Sequence, residues 1–420
     1  MRELDYDALI IGGGAAGMAA ALPLCEAGYR VAIIDREGHL GGILMQCIHN
    51  GFGLRRYKEE LTGPEFAERF AGEMLTAGVD LFLDTTVMEI EANGPDKTVL
   101  ACGQDQGLLR LTSRVLVLAM GCRERNRGNL AIPGGRPAGI YTAGLAQRLL
   151  NIEGCIPGER AVIVGSGDIG LIMARRLKWV GSDVPAVVEI LPHPSGVTRN
   201  IVQCLHDFDI PLYLSHVVSR IEGRDRVEAV EVTPLDGGTP QPDRAFRIEC
   251  DTVLLSVGLL PETELSEKAG IRIGRDTGGP TVDAGLMTSE EGVFACGNVL
   301  HVHDLVDWAA EEGERCGHNA VTYLRGERAA GPQGSVLPGA NVKYVVPHHY
   351  RPDAPNRFSL RSLVMKDRAE LVVRREGAVL KRRKLRHVKP AEMIHFDMKA
   401  DELAARDSDA GPKAIEVAVE

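Results

Sequence analysis

Apolar residues in the first 35 positions fall into two short runs, YDALII (6–11) and RVAIID (30–35). Between them lie the turn GGGAAG and the alanine-rich stretch MAAALPLCEAGY. Apolar runs bounded by glycine and flanking a helical stretch predict strand, glycine turn, helix, strand. The order returns at 161, in AVIVGSGDIGLIMARRLKWVGSDVPAVVEI. Two more apolar runs follow, TVLLSVGLLPETEL (252–265) and GVFACGNV (292–299), then HDLVDWAAEEGERCGHNAVTYL, which has helical character. Asp304 is expected to cap that helix, with Asp307 three residues on in a spacing like that of a capping box. RGERAAGPQGSVLPGAN (325–341) is rich in Gly, Pro and charge and reads as a linker. Beyond it VKYVV, SLRSLVM, AELVVRR, MIHFDM and IEVAVE alternate over short spans and predict a small C-terminal β domain over 340–420. RDSDAGPK (406–413) reads as a turn or loop. Strands alternating with helices predict an α/β fold with two Rossmann-like units.

Each glycine turn carries a chemical expectation. Gly12 allows the tight turn, Gly14 lets the backbone approach a pyrophosphate, and Gly17 lets the helix pack close to the strand. Amides at the helix start, together with the helix dipole, favour phosphate charge. Asp35, 18 residues past Gly17, is placed to bind ribose hydroxyls. Gly165, Gly167 and Gly170 repeat the spacing, and Glu189 stands where Asp35 stood. An acid there accepts from a ribose 2′-hydroxyl and repels a 2′-phosphate, so NADH is expected over NADPH. Arg199 and Arg220 are the residues that would oppose this preference by meeting a phosphate. Neither turn has the P-loop spacing, which argues against ATP.

Over residues 5–325 the chain resembles the two-dinucleotide-binding-domain flavoproteins, also called pyridine nucleotide–disulfide oxidoreductases. Beside the two glycine turns, VLVLAMGCRER (115–125), TVLLSVGLLPETEL and GVFACGNV look like that family's motifs. The resemblance implies FAD in the first site and NAD(P)H in the second, with the NAD domain inserted in the FAD domain. The expected spans are 1–153 and 254–328 for FAD and 154–253 for NAD. It implies cofactor contacts from Ala16, Arg36, Gly42, Val87, Ala119, Gly121, Gly297 and Asn298, where Asp is commoner, and from Asp168, Ile169 and Gly258. The helix after the late motif is expected to carry partial positive charge at its N-terminus, which, aimed at a flavin, would stabilise the anionic reduced ring. LGGILMQCIHNGFG (40–53), RPAGIYTAGLAQRLLN (136–151) and FACGNVLHVHDLVDW resemble a narrower bacterial group, whose members are associated with FAD-dependent glycerol-3-phosphate dehydrogenases. A looser similarity runs to subunits of amine and opine dehydrogenases.

The family's two redox cysteines would fall at Leu44 and His49, so that pair is missing, and no C-x-x-C occurs anywhere. Cys47 lies between the two slots. It and His49 are the candidates for redox or proton work, with His49 able to lower the thiol pKa if the two meet. The alternative, favoured here, is a small apolar residue packed beneath the flavin. Cys122 and Cys296 are read as packing. His301, His303, Asp304 and Asp307 are read as capping and loop packing, and no metal is expected.

Composition narrows the partners. Hydrophobic residues are 44% and charged residues 25%, ordinary for a globular protein. A net charge of −10 argues against nucleic acid as a partner. Nine scattered cysteines, no leader and no long apolar run are expected of a cytoplasmic protein without an integral membrane segment. KRRKLRHVK (381–389) reads as a solvated strand face, with an acidic partner's docking patch as the alternative. The expected function is hydride transfer between NAD(H) and FAD, with electrons passing to or from a second acceptor, a partner redox protein or dehydrogenase subunit. Three alternatives stay open. One is a subunit of a heteromeric amine, imino-acid or glycerol-3-phosphate dehydrogenase. Another is a Cys47-dependent peroxidase or disulfide reductase. The last is a non-catalytic FAD/NAD-binding subunit. A homo-oligomer is compatible with each.

Overall fold

The computed structural model describes residues 1–327, 331, 333–403 and 412–420. Most of RDSDAGPK therefore lies outside the described residues. The chain divides into two compact units, Met1–Cys122 with Pro261–Glu420, and Arg123–Leu260. The inserted unit is thus wider than 154–253, and the C-terminal strands belong to the same unit as the first glycine turn.

In the first unit, strand β1 (Arg2–Ile11) leads through the glycine turn into helix α1 (Ala15–Glu26) and strand β2 (Val31–Ile34). β1 pairs in parallel with β2 on one side and with Gly107–Leu118 on the other. Val293–Ala295 joins Gly107–Leu118 in parallel, so the late motif enters the same sheet. Ala8–Ile11 and Val31–Ile34 are buried on both faces, which is why they read as unbroken apolar runs. The turn is set by backbone contacts: Gly12 has φ +105°, and a Cβ on Gly17 would lie 1.9 Å from Gly12 O. The long helix Val306–Leu324 packs along α1 just as closely. A Cβ on Gly313 would meet Ala16 O at 2.2 Å, and one on Gly317 would meet Ala20 O at 2.4 Å.

The C-terminal strands form a five-stranded sheet, whose last two strands are Lys366–Arg375 and Ala378–Val388, and a three-stranded sheet ending in Met393–Met398. Their core holds Leu360, Leu371, Val373 and a stacked Phe358–Phe396 pair with ring centroids 5.0 Å apart. The stretch expected to be a linker contains a strand, Gly334–Pro338, paired with Ile415–Val419. Val336 is buried there and Gly334 seats against the Tyr350 ring, so packing overrides the Gly and Pro content.

The inserted unit has a five-stranded parallel sheet in the order 140–142, 252–255, 160–164, 183–189, 212–214, and an antiparallel sheet built on Ala229–Asp236. Helix Asp168–Trp179 ends in Trp179, which is 58% exposed and lies edge-on to Phe208. Among the described residues no helix is long and apolar enough to cross a membrane.

The glycine contacts predict opposite outcomes for two similar substitutions. Gly17→Ala should cost about 3 kcal/mol by overpacking. Gly72→Ala should stabilise by about 0.5–1 kcal/mol, since Gly72 is exposed within helix Gly63–Ala77 and an added Cβ meets nothing within 4 Å. Urea unfolding of the two variants checks both signs.

Candidate functional site

The first turn opens onto an uncapped helix start. Gly14 is the N-cap of α1 with no side-chain bond, the first turn holds no acid, and a Cβ on Gly14 would meet nothing within 4 Å. No side chain caps the amides there, as binding of a phosphate requires. The Asp35 carboxylate sits at the same turn: Gly13 N–H donates to Oδ2 at 2.6 Å and Glu37 N–H to Oδ1 at 2.9 Å. Arg36 is exposed beside it, and Val87 is half-buried on the sheet edge. Gly41 N–H donates to Gly13 O at 2.8 Å, and this bond folds the next segment back so that a Gly42 Cβ would stand 3.4 Å from Gly14 Cα. Ala119 backs the turn, its carbonyl lying where a Gly12 Cβ would be, and Gly121 follows at φ +73° with open space around it. These residues, Ala16 included, therefore share one end of the sheet and form a cradle that suits a dinucleotide.

Cys47 follows the short helix Gly42–Gln46 and is buried against the start of helix Gly63–Ala77. A Gly63 Cβ would lie 2.8 Å from Cys47 Cβ. Its thiol donates to Ile43 O at 3.2 Å, and burial pushes its pKa up to about 12. At neutral pH it is a protonated thiol. The His49 ring points Nδ1 at Asn50 O (3.1 Å) and tilts against Phe52.

The late motif holds a side chain that the sequence pattern did not single out, Glu312. Gly297 N–H donates to its Oε1 at 2.8 Å, His301 Nε2 lies 2.9 Å from Oε2, and Arg315 is 4.0 Å away. Burial opposes charge on Glu312, but His301 and His303 outweigh it and hold the carboxyl well below its usual range. Burial pulls the His301 pKa down, against the pull of Glu312. The ligand atoms of His301, His303 and Glu312 lie within 4.8 Å of one another. Gly297 N–H and His301 bond the carboxylate, and Arg315, 4.0 Å away, adds a countercharge without a hydrogen bond. A signal for Glu312 was present: it directly precedes Gly313 on the stripe that buries Ala310, Gly313, Cys316 and Gly317. Asn298 bridges the loop, accepting from His303 N–H at 2.9 Å and donating to Cys122 Sγ at 3.5 Å.

Asp304 and Asp307 do not cap the helix. It starts at Val306 after Leu305, with no side-chain cap. Asp304 accepts instead from Met393 N–H, and Asp307 from the Arg55 and Arg56 amides at 3.2 and 2.9 Å. Tertiary donors took both carboxylates, so no side chain caps the helix start. The C-terminal strands hold this loop: Arg361 donates to Val302 O, the Tyr344 ring meets His301 edge-on, and the His395 ring lies tilted against Trp308 with centroids 4.0 Å apart. Arg55 covers Trp308 at 3.7 Å.

In the inserted unit, Gly167 caps helix Asp168–Trp179 with no side-chain bond and Gly165 has φ +90°. Gly170 N–H donates to Ser256 Oγ at 3.0 Å, and Ile169 is half-buried beside it. Gly258 has φ +98° and open space around it. Glu189 is 3% exposed and accepts from Ser166 N–H (2.9 Å), Leu191 N–H (3.0 Å) and the Ser166 and Ser195 hydroxyls. Asp168 fixes the following loop through Val197 N–H and Asn200 Nδ2.

Two uncapped glycine-turn helices, each on its own parallel sheet, make this an α/β protein with two Rossmann-like units. The chain belongs to the pyridine nucleotide-disulphide oxidoreductase family, whose model matches residues 6–313. It is 26% identical to one of the opine oxidase subunits of Agrobacterium tumefaciens over 322 residues, 70% of this chain and 61% of that one. It is 27% identical to the NAD(P)H coenzyme A polysulfide/persulfide reductase of Pyrococcus horikoshii, covering 82% and 75%. Thioredoxin reductase of T. acidophilum shares the fold, with a TM-score of 0.63, 22% identity and coverage of 76% and 98%. The chain spans about three fifths of the length of the opine oxidase and hydrogen cyanide synthase subunits it resembles.

The buried histidines imply acid sensitivity. Burial lowers His348 to about 4 and His395 to about 3. Their unfolded values lie near 6.5, so the unfolded chain binds more protons below that pH. Stability should fall as pH drops from about 6.5 towards 4. Urea unfolding at pH 7 and pH 5 should show this loss, and His395→Gln should shrink it. An unchanged difference in the variant would remove His395 as a cause.

Proposed function

We propose that this protein is an FAD-dependent oxidoreductase that exchanges hydride between NAD(H) and FAD and passes electrons to or from a partner protein. One observation carries the reading: two separate glycine turns, each opening on an uncapped helix start with an acid at the end of its second strand. The α1 amides with Gly12, Gly14, Ala16 and Gly17 would hold the FAD pyrophosphate, and Asp35 the adenosine ribose. Gly42, Ala119, Gly121, Gly297 and Asn298 would line the rest of the cradle, with Arg36 and Val87 at its rim. Gly165, Gly167, Asp168, Ile169, Gly170, Glu189 and Gly258 would hold the nicotinamide dinucleotide. When bound, the flavin supplies the electron-accepting ring; the chain supplies orientation and electrostatics. Helix Val306–Leu324, without a side-chain cap, carries partial positive charge at its N-terminus. Similarity to a persulfide reductase and to subunits of multi-subunit enzymes supports electron transfer with a partner. A cytoplasmic setting fits the reduced cysteines.

Cys47 belongs to packing in this reading, with His49 not acting as its base. The thiol pKa of about 12 supports it, because the nucleophile of a peroxidase or disulfide reductase is a thiolate. The second reading is one component of a heteromeric dehydrogenase that takes an amine, imino acid or glycerol 3-phosphate. The likeness to the opine oxidase component favours it.

Anaerobic titration with NADH tests the main reading. Bleaching of the flavin near one equivalent per FAD is expected, unchanged in Cys47→Ser. Uptake of two equivalents would reveal a further redox centre and restore the cysteine. No bleaching with NADH or NADPH would overturn the reading and favour a flavin reduced by another substrate, or a binding protein without turnover. The acid at Glu189, its oxygens held by internal donors, would act by repelling a 2′-phosphate, which favours NADH over NADPH. Glu189→Ala should lower the NADH/NADPH ratio of kcat/KM roughly tenfold, about 1.4 kcal/mol.

A further inference from the structure

Strand Ala378–Val388 ends the five-stranded C-terminal sheet, and Met393–Met398 ends the three-stranded one. Each pairs with a single neighbour among the described residues. Between them runs a cleft of about 250 Å³. It is crossed by a side chain, Arg383, whose Nη1–H donates to His395 O at 2.7 Å. Among the described residues no strand pairs with the second edge of Ala378–Val388.

That edge is strongly basic. Residues 381–389 hold six lysines and arginines and no acid, in a chain of net charge −10. Lys381 pairs with Glu402, Arg382 with Glu370, and Lys389 lies 3.9 Å from Glu392. Among the described residues no carboxylate lies within 4.0 Å of Arg383, Lys384 or Arg386. Arg386 stands directly opposite Arg368 across the ladder, a like-charge pair that disfavours the sheet. Arg383 lines this cleft, and its Nε is buried without a hydrogen-bond partner. Glu370, opposite Lys384, already bonds Arg382, so positive charge is in excess along an edge that no other described strand pairs.

We propose that this seam receives an extended acidic segment of a partner protein, paired by its backbone to Ala378–Val388, with carboxylates on Arg383, Lys384 and Arg386. The charges spread over nine residues, roughly 30 Å of strand, the length of an extended chain and not of a small anion. A segment added to a sheet edge gains main-chain bonds and side-chain selectivity together. A second copy of this strand would set like charges against each other, so the edge excludes itself and selects an acidic partner. The inference deepens the partner reading above. It concerns binding alone, so its failure leaves the hydride reading standing, and the reverse holds too.

Fluorescence anisotropy of the full-length protein with labelled (Glu-Val)5 peptide tests it. Binding is expected, weakened about tenfold by Lys384→Glu with Arg386→Glu, and left unchanged by Arg244→Glu on the inserted unit. An alternately N-methylated peptide keeps the charge and loses the backbone donors, so it should bind at least tenfold more weakly. Absence of binding overturns the proposal. Equal binding of the methylated peptide, or equal loss in Arg244→Glu, also overturns it, leaving only diffuse attraction of anions.

Discussion

The first unit depends on helix contacts made without side chains. Gly17 lies on the Gly12 carbonyl, and Gly313 and Gly317 lie on the carbonyls of Ala16 and Ala20. No Cβ fits at any of the three. Two helices this close leave no room for large residues, which accounts for the alanines of α1. The same approach carries Gly297 to the first glycine turn, since a Cβ there would stand 2.6 Å from the Ala16 Cβ. Chain segments almost 300 residues apart in sequence thereby share one end of one sheet. Dispersion and backbone polarity, more than side-chain volume, hold this joint.

Charge follows that geometry. Glu312 sits one residue before Gly313 and so is carried inside with it. A carboxylate there is tolerable because Gly297 N–H, His301 and Arg315 surround it. The C-terminal strands complete the enclosure through Arg361, Tyr344 and His395. Their place is thus structural for the loop after the late motif, whatever else their outer edge does.

Much of this was legible in the sequence. Both glycine turns, their helices and the acids at 35 and 189 follow from local spacing, because such turns are set by backbone constraints that only glycine meets. The C-terminal strands showed in their alternation. What escaped was tertiary. Asp304 and Asp307 have the local pattern of a cap, yet distant amides of Met393, Arg55 and Arg56 claimed them. Gly334–Pro338 has the composition of a linker, yet a parallel partner from the end of the chain made it a strand. Glu312 was not singled out, because helical periodicity places a residue on a face without saying what that face meets. The extent of the inserted unit, Arg123–Leu260, is likewise a property of contacts and leaves no mark on composition.

The placing of the aromatics has a practical side. The chain has two tryptophans. Trp308, in the first unit, is held between the Arg55 guanidinium and the His395 ring, while Trp179, in the inserted unit, is mostly open to water. One indole therefore emits from a packed, charged stack, and the other from near-bulk solvent. The two colours of intrinsic emission give each unit its own reporter, so the order in which the units melt can be followed without attaching a dye.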